Sequence, residues 1–131
     1  MKLAFSTLGC PDFDWTDIYT MAKDFGFSGI ELRGLKSATF SIHARPFQEE
    51  NLPETLAMLK NKHLEIPCLS TGCALKDAEH REETLAEIRE YIALAQKLGT
   101  PYIRILGDLT AAPAGEVDDE VVLSALKELI P

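Results

Sequence analysis

Four short apolar runs begin near residues 2, 29, 65 and 101, and each is followed by a stretch whose apolar residues recur every three to four positions. No other feature of the chain constrains its fold as much. The first run, Lys2–Thr7, ends at Leu8-Gly9. Asp14 then stands as a cap before Ile18, Met21, Ala22 and Phe25, the i, i+3, i+4, i+7 stripe of a helix, and Gly26 supplies a left-handed stop. Gly29–Arg33 is the second strand. Asn51 is the expected cap of the second helix, with Pro53 in its first turn, Glu54 closing a capping box, and Leu52, Leu56 and Leu59 buried. Glu65–Thr71 is the third strand. The third helix runs from about Glu79 to Leu98, with Leu85, Ile88, Ile92, Ala95 and Leu98 inward and Gly99 at its end. Pro101–Gly107 is the fourth strand. Val122, Ala125, Leu126 and Leu129 mark a fourth helix capped by Asp118 or Asp119.

Strands joined by crossover helices make a parallel sheet with right-handed connections. The intervals between strand starts are close to one βα unit each, and a fifth strand would fall just past the last residue. The reading is α/β: a (βα)4 half of a TIM (β/α)8 barrel with parallel strands, residues 1–131 forming one half-barrel unit of a partial barrel. The alternative is a small doubly wound α/β domain.

Composition narrows the function. The chain has 131 residues, 46% of them hydrophobic, enough for one domain with a real core. No apolar run approaches the roughly 18 residues of a membrane span, so no membrane partner is expected. A net charge of −8 repels phosphate backbones, so no nucleic acid is expected either. Cys10, Cys68 and Cys73 read as reduced thiols of a cytoplasmic protein, and their spacing is a poor fit to a zinc site.

The opening KLAFSTLGCPDFDW, the second strand GIELRG, the run LEIPCLSTGCAL and the fourth strand PYIRILGD, in this order along the whole chain, resemble the sugar isomerase/epimerase family with the xylose-isomerase-like TIM barrel. The resemblance implies interconversion of sugars or sugar phosphates with a divalent metal (Mn, Mg, Zn or Co), and a branch of the same superfamily cleaves abasic DNA. It also implies that the metal ligands lie on strands of the second half of the barrel. None can be carried onto a position here, and no cofactor is expected for this chain alone. What it leaves to these residues is the substrate side, at strand ends and βα loops. By itself the chain is expected to be inactive. The non-enzymatic alternative is a half-barrel assembly or binding module, and the abasic-site endonuclease reading is disfavoured by charge.

Strand alternation then selects candidates. In GIELRG, Ile30 and Leu32 face the helices while Glu31 and Arg33 point into the barrel, Arg33 nearer its C-terminal mouth. On the fourth strand Ile103 and Ile105 alternate with Arg104, which places Arg104 inside as well. Strands two and four share parity, so Glu31 and Arg104 are expected in one layer, as a structural ion pair, a substrate contact, or both. His43 and Arg45, between Phe40 and Phe47, lie in a long loop after the second strand that either contacts substrate or is a surface loop anchored by the two phenylalanines. Asp108, at the mouth of the fourth strand, binds hydroxyls or caps its loop. His63 suits the end of a helix and His80 a solvated first turn, while Ser70 has no local base to make it a nucleophile. The inner face is expected to include Ala4, Ser6, Ile66, Cys68 and Leu106. With two open sheet edges, it calls for a homodimer or completion by a second half-barrel.

Overall fold

The structure, a computed structural model, describes residues 1–77, 79–107 and 119–130. Its elements alternate as expected: β1 (Ala4–Ser6), α1 (Trp15–Asp24), β2 (Gly29–Leu32), α2 (Leu52–Lys62), β3 (Glu65–Ala74), α3 (Arg81–Leu98), β4 (Tyr102–Leu106) and α4 (Asp119–Leu129). The four strands form one sheet in the order β1-β2-β3-β4, and every pairing is parallel. A doubly wound sheet reverses its strand order at a switch point. This one steps in a single direction, as a barrel wall does, so it is an α/β half-barrel and the doubly wound alternative is discarded.

Local signals account for most boundaries. Asp14 caps α1 in a reciprocal box: its carboxylate accepts from the Asp17 N–H at 3.0 Å, and the Asp17 carboxylate accepts from the Asp14 N–H at 3.1 Å. Gly26 and Gly99 take positive φ after α1 and α3. His63 does the same after α2, at φ 51°, so this histidine is a left-handed cap. The capping box expected at α2 does not form. Asn51 has φ −103° and ψ −15°, already near the helical region, and its side chain makes no capping bond. Three-ten turns at Ser41–His43 and Arg45–Phe47 carry the chain into α2 instead, and the Leu52 N–H donates to the Gln48 carbonyl. Asp119 lies in the first turn of α4. The rival cap, Asp118, lies outside the described residues.

The core is the layer between sheet and helices. Ile30, Leu32 and Leu69 are fully buried there with Ile18 of α1 and Leu85, Ile88 and Tyr91 of α3. The Phe5 ring packs on Phe27 at 5.0 Å, and Trp15 packs on Phe47 at 5.0 Å.

Ile66 belongs to this core and not to the inner face where simple alternation put it. The reason is a bulge. Gly29 pairs with Glu65 and Glu31 with Cys68, so β3 spends one residue more than β2 over the same rise. The extra residue reverses parity, sending Ile66 to the helices and Cys68 inward. Pro67, with no N–H to offer the ladder, sits in the bulge. A second irregularity follows, between Ser70↔Arg104 and Ala74↔Leu106. There the Thr71 hydroxyl donates to the Arg104 carbonyl at 3.0 Å and accepts the Cys73 N–H at 3.2 Å, replacing the interrupted ladder.

The inner face is consequently more polar than the sequence suggested. It presents Ser6, Glu31, Cys68, Ser70, Tyr102 and Arg104, and its apolar members are Ala4 and Leu106. Among the described residues no helix is long and apolar enough to cross a membrane.

Candidate functional site

The C-terminal ends of β1 and β2 build a cleft of about 260 Å³. Thr7 organises it. This residue is 1% exposed, and its hydroxyl oxygen accepts both the Arg33 N–H at 2.9 Å and the Gly34 N–H at 3.2 Å. One side chain thus ties the exit of β1 to the exit of β2 and fixes the backbone from which Arg33 projects. Gly34 is required here, because a Cβ would collide with the backbone carbonyl of Thr39. The loop folds back as a small hairpin in which the Leu35 N–H donates to the Ala38 carbonyl at 2.9 Å. Lys36, Ser37 and Thr39 thereby join Arg33 and Thr7 along the cleft wall.

Arg33 is half-buried and held on two sides. Its guanidinium lies 4.2 Å from the centroid of Phe40, and its Nη1 donates to the Thr39 carbonyl at 3.4 Å. Phe40 rests in turn on Gly72 of β3, where an added Cβ would stand 2.5 Å from the ring. The long loop after β2 is therefore anchored by both of its phenylalanines, Phe40 on the sheet and Phe47 against Trp15.

Behind Arg33 lies a small polar group. Burial pushes the Cys73 thiol up to about 11 and the Tyr91 phenol up to about 12. Glu87 reinforces both shifts, and the Arg33 charge opposes them. Both side chains are therefore neutral at ordinary pH. On the inner face, burial also raises Cys68, with the negative charge of Glu31 adding to it and Arg104 working against it.

The candidates chosen from sequence are distributed as follows. Glu31 is half-buried on the inner face, with the Ser6 hydroxyl donating to its Oε1 at 3.4 Å. Arg104 is exposed on the same face and donates from Nη1 to Ser70 Oγ at 3.3 Å. Glu31 and Arg104 flank Cys68 but form no ion pair, so the expected pairing in one layer is not made. The register explains the gap: Glu31 is level with Cys68, which is level with Tyr102, one inward position before Arg104. Arg33 lines the cleft. His43 and Arg45 are exposed and do not line it; Arg45 instead borders a second hollow between α1 and α2, with Trp15, Tyr19 and Glu54. Asp108 lies outside the described residues. His80, at the N-terminus of α3, pairs with Asp77 at 2.9 Å and is largely solvated; its hydrogen bond holds the Asp77 carboxyl below the usual range. Among the described residues no three His, Cys, Asp or Glu side chains converge to hold a metal.

Sequence reasoning did not single out Thr7, Lys36 or Gly72, and it read Phe40 as a loop anchor but not as the ring on which Arg33 stacks. Gly72 carried a usable signal, since a glycine inside a strand often marks the close approach of another group. The others are joined only by the tertiary fold.

Four sequential parallel βα units, with a polar inner face and a cationic cleft at the C-terminal strand ends, define one half of a (β/α)8 barrel of the kind that carries active sites at that end. The chain belongs to the xylose isomerase-like TIM barrel family, whose model matches residues 19–131. Among solved structures it resembles the probable 3-DHS dehydratase AsbF, involved in petrobactin synthesis, from Bacillus anthracis. The two are 26% identical with a TM-score of 0.68, over 98% of this chain and 46% of that one. A xylose isomerase domain protein from Planctomyces limnophilus shares the fold at 15% identity and a TM-score of 0.61, over 84% of this chain and 42% of that one. The chain thus spans less than half the length of these neighbours. No curated protein matches it by sequence.

Proposed function

We propose that a barrel completed around this chain is a metal-dependent isomerase or epimerase of sugars or sugar phosphates, to which these residues contribute the substrate side. The observation that supports this is a cationic cleft at the end of the strands where barrels of this family build their sites. The reaction is proton transfer at a carbon next to a carbonyl. A divalent ion (Mn, Mg, Zn or Co) supplies polarisation of the substrate oxygens when bound. The family resemblance, not the described residues, assigns its ligands to the other half of the barrel.

In this reading Arg33 and Arg104 donate to substrate oxygens, and Glu31, steadied by Ser6, accepts from hydroxyls. Asp108 belongs to the same proposed set. His43 and Arg45 stand apart from it in the present arrangement.

The missing half is either a second (βα)4 unit in the same polypeptide or a second copy of this chain. β1 and β4 end the sheet, and their outer edges have no strand partner among the described residues. A twofold pairing of β1 with the partner's β4 closes eight strands. Sedimentation at micromolar concentration tests the dimer, and Leu106→Glu on the inner face is expected to dissociate it. Reduced thiols at all three cysteines accord with a cytoplasmic setting.

A dehydratase is the second reading, favoured by the 26% identity to AsbF over nearly the whole chain. Removal of a proton next to a carbonyl also opens eliminations of water, so the two readings share a first step. The test is a chimera of this half with the C-terminal half of the AsbF barrel, incubated with Mn²⁺ and sugars in D2O. Uptake of deuterium with aldose–ketose or epimer exchange supports the first reading, and loss of water supports the second. A chimera that binds Mn²⁺ and does neither overturns both. The chain alone is expected to show no exchange with any divalent metal.

A further inference from the structure

We propose that the cleft at the ends of β1 and β2 is a phosphate subsite, taking the phosphate-monoester end of a substrate on Arg33 and Lys36. The proposal rests on the isomerase/epimerase reading and selects sugar phosphates within it.

Charge carries the argument. The chain has 21 acidic residues against 13 Lys and Arg, yet the cleft wall holds Arg33 and Lys36 and no Asp or Glu among the described residues. Neither cation forms an ion pair with a described residue. Two cations with no ion-pair partner among the described residues, Glu87 near Cys73 and Tyr91 standing outside the cleft lining, lie beside the hydroxyls of Ser37 and Thr39 and match a dianion with several acceptor oxygens better than a single carboxylate.

Preorganisation is the second strand of the case. Gly72 admits the Phe40 ring, Phe40 carries the guanidinium at 4.2 Å, and Thr7 pins the Arg33 and Gly34 N–H groups. Arg33 therefore keeps its fork at the cleft at little entropic cost. At about 260 Å³ the cleft is smaller than a typical whole-ligand pocket, a size suited to one end of a substrate.

The experiment is a titration of the 131-residue chain with inorganic phosphate at low ionic strength, followed by 1H–15N NMR. Saturable shifts are expected at Gly34, Lys36, Ser37 and Thr39. Lys36→Gln and Arg33→Gln should each weaken binding by about tenfold or more. Acetate should bind at least roughly tenfold more weakly than phosphate. Lys36 is exposed on its loop, so its substitution carries the test even where Arg33→Gln disturbs the fold. No saturable shift, an affinity untouched by Lys36→Gln, or acetate binding as tight as phosphate would each overturn the subsite. That loss would leave the isomerase reading to neutral sugars. Failure of the completed barrel to turn over any sugar, with phosphate binding intact, would remove the isomerase reading and not the subsite.

Discussion

The two faces of one sheet have opposite chemistry. Toward the helices, Ile30, Leu32 and Leu69 are 0% exposed and touch a continuous apolar core. On the other face, Ser6, Glu31, Cys68, Ser70 and Arg104 make a thin polar layer with few mutual bonds. The residues of the two faces alternate along the same strands, so the difference is one of neighbours, not of backbone. Burial of apolar area against the helices stabilises the unit, while the polar face is left available for a ligand or a second half-barrel.

The sharpest break of this contrast is Leu69→Ala. It removes a fully buried side chain where β2, β3 and β4 are in register, and the packed helices can collapse only partly onto the space. The expected loss is about 3 kcal/mol or more in urea melts. Ser70→Ala, one residue on and on the opposite face, removes a buried hydroxyl with one hydrogen bond from Arg104 but leaves no large cavity, so it should cost only about 1 kcal/mol. Equal losses would erase the distinction between the faces.

Gly72→Ala probes the place where the loop crosses the sheet. Its Cβ would stand 2.5 Å from Phe40 Cε1, so the ring must leave and Arg33 loses its stacking surface. A destabilisation of about 1 to 3 kcal/mol is expected. Fluorescence is blind to this ring, so hydrogen exchange across residues 34–50 is the appropriate local readout. Unchanged exchange there would mean that Phe40 does not hold the loop.

How much of this was legible follows from where the chain is regular. The extra residue of the β2–β3 bulge lies on β3, so β2 keeps its alternation, and alternation placed Ile30, Leu32 and Glu31 on their correct faces. β3 carries two irregularities, and alternation failed at Ile66. Pro67 was the visible warning, since a proline inside a strand marks an edge or a bulge. The Asp14 cap was legible because it is local chemistry. The α2 cap was misread because the preceding three-ten turns, a consequence of the loop's anchoring, already set Asn51 near helical angles. Arg33 was singled out from its place at the end of the second strand, and the structure puts it on the cleft wall. Its partners were not recognised as such, because Thr7, Phe40 and Gly72 meet it only through contacts that no sequence period records.

Alkaline pH sharpens the contrast through Cys73 and Tyr91. Their folded-state values, about 11 and about 12, lie above the ordinary 9.0 and 10.0, so the folded chain holds protons that the unfolded chain releases. Stability is therefore unaffected below pH 9, falls as pH rises above it, and reaches its full loss only beyond the raised values. Discounted for solvent at the rim, the loss is about 1 to 2 kcal/mol per group. Thermal melts between pH 8 and 11 should show the fall, and Tyr91→Phe should flatten its upper part. A Tm that stays level to pH 11 would place both groups in contact with water.

Arg104→Ala tests the polar face from the other side. A barrel layer with Glu31 paired to Arg104 would make this substitution costly, about 3 to 5 kcal/mol, because a buried acid would be stranded. The geometry argues otherwise. Arg104 is exposed, its guanidinium reaches Ser70 Oγ at 3.3 Å, and Glu31 is satisfied in part by Ser6. An exposed charge with one neutral partner contributes little, so the isolated chain should lose less than about 1 kcal/mol. The same substitution in a completed barrel meets a different environment, since a second half covers this face and removes the water that now screens Glu31. A loss that rises toward about 3 kcal/mol on completion would show that Glu31 and Arg104 become coupled only when the barrel closes. A loss that stays small in both states would leave Arg104 free to serve the substrate alone.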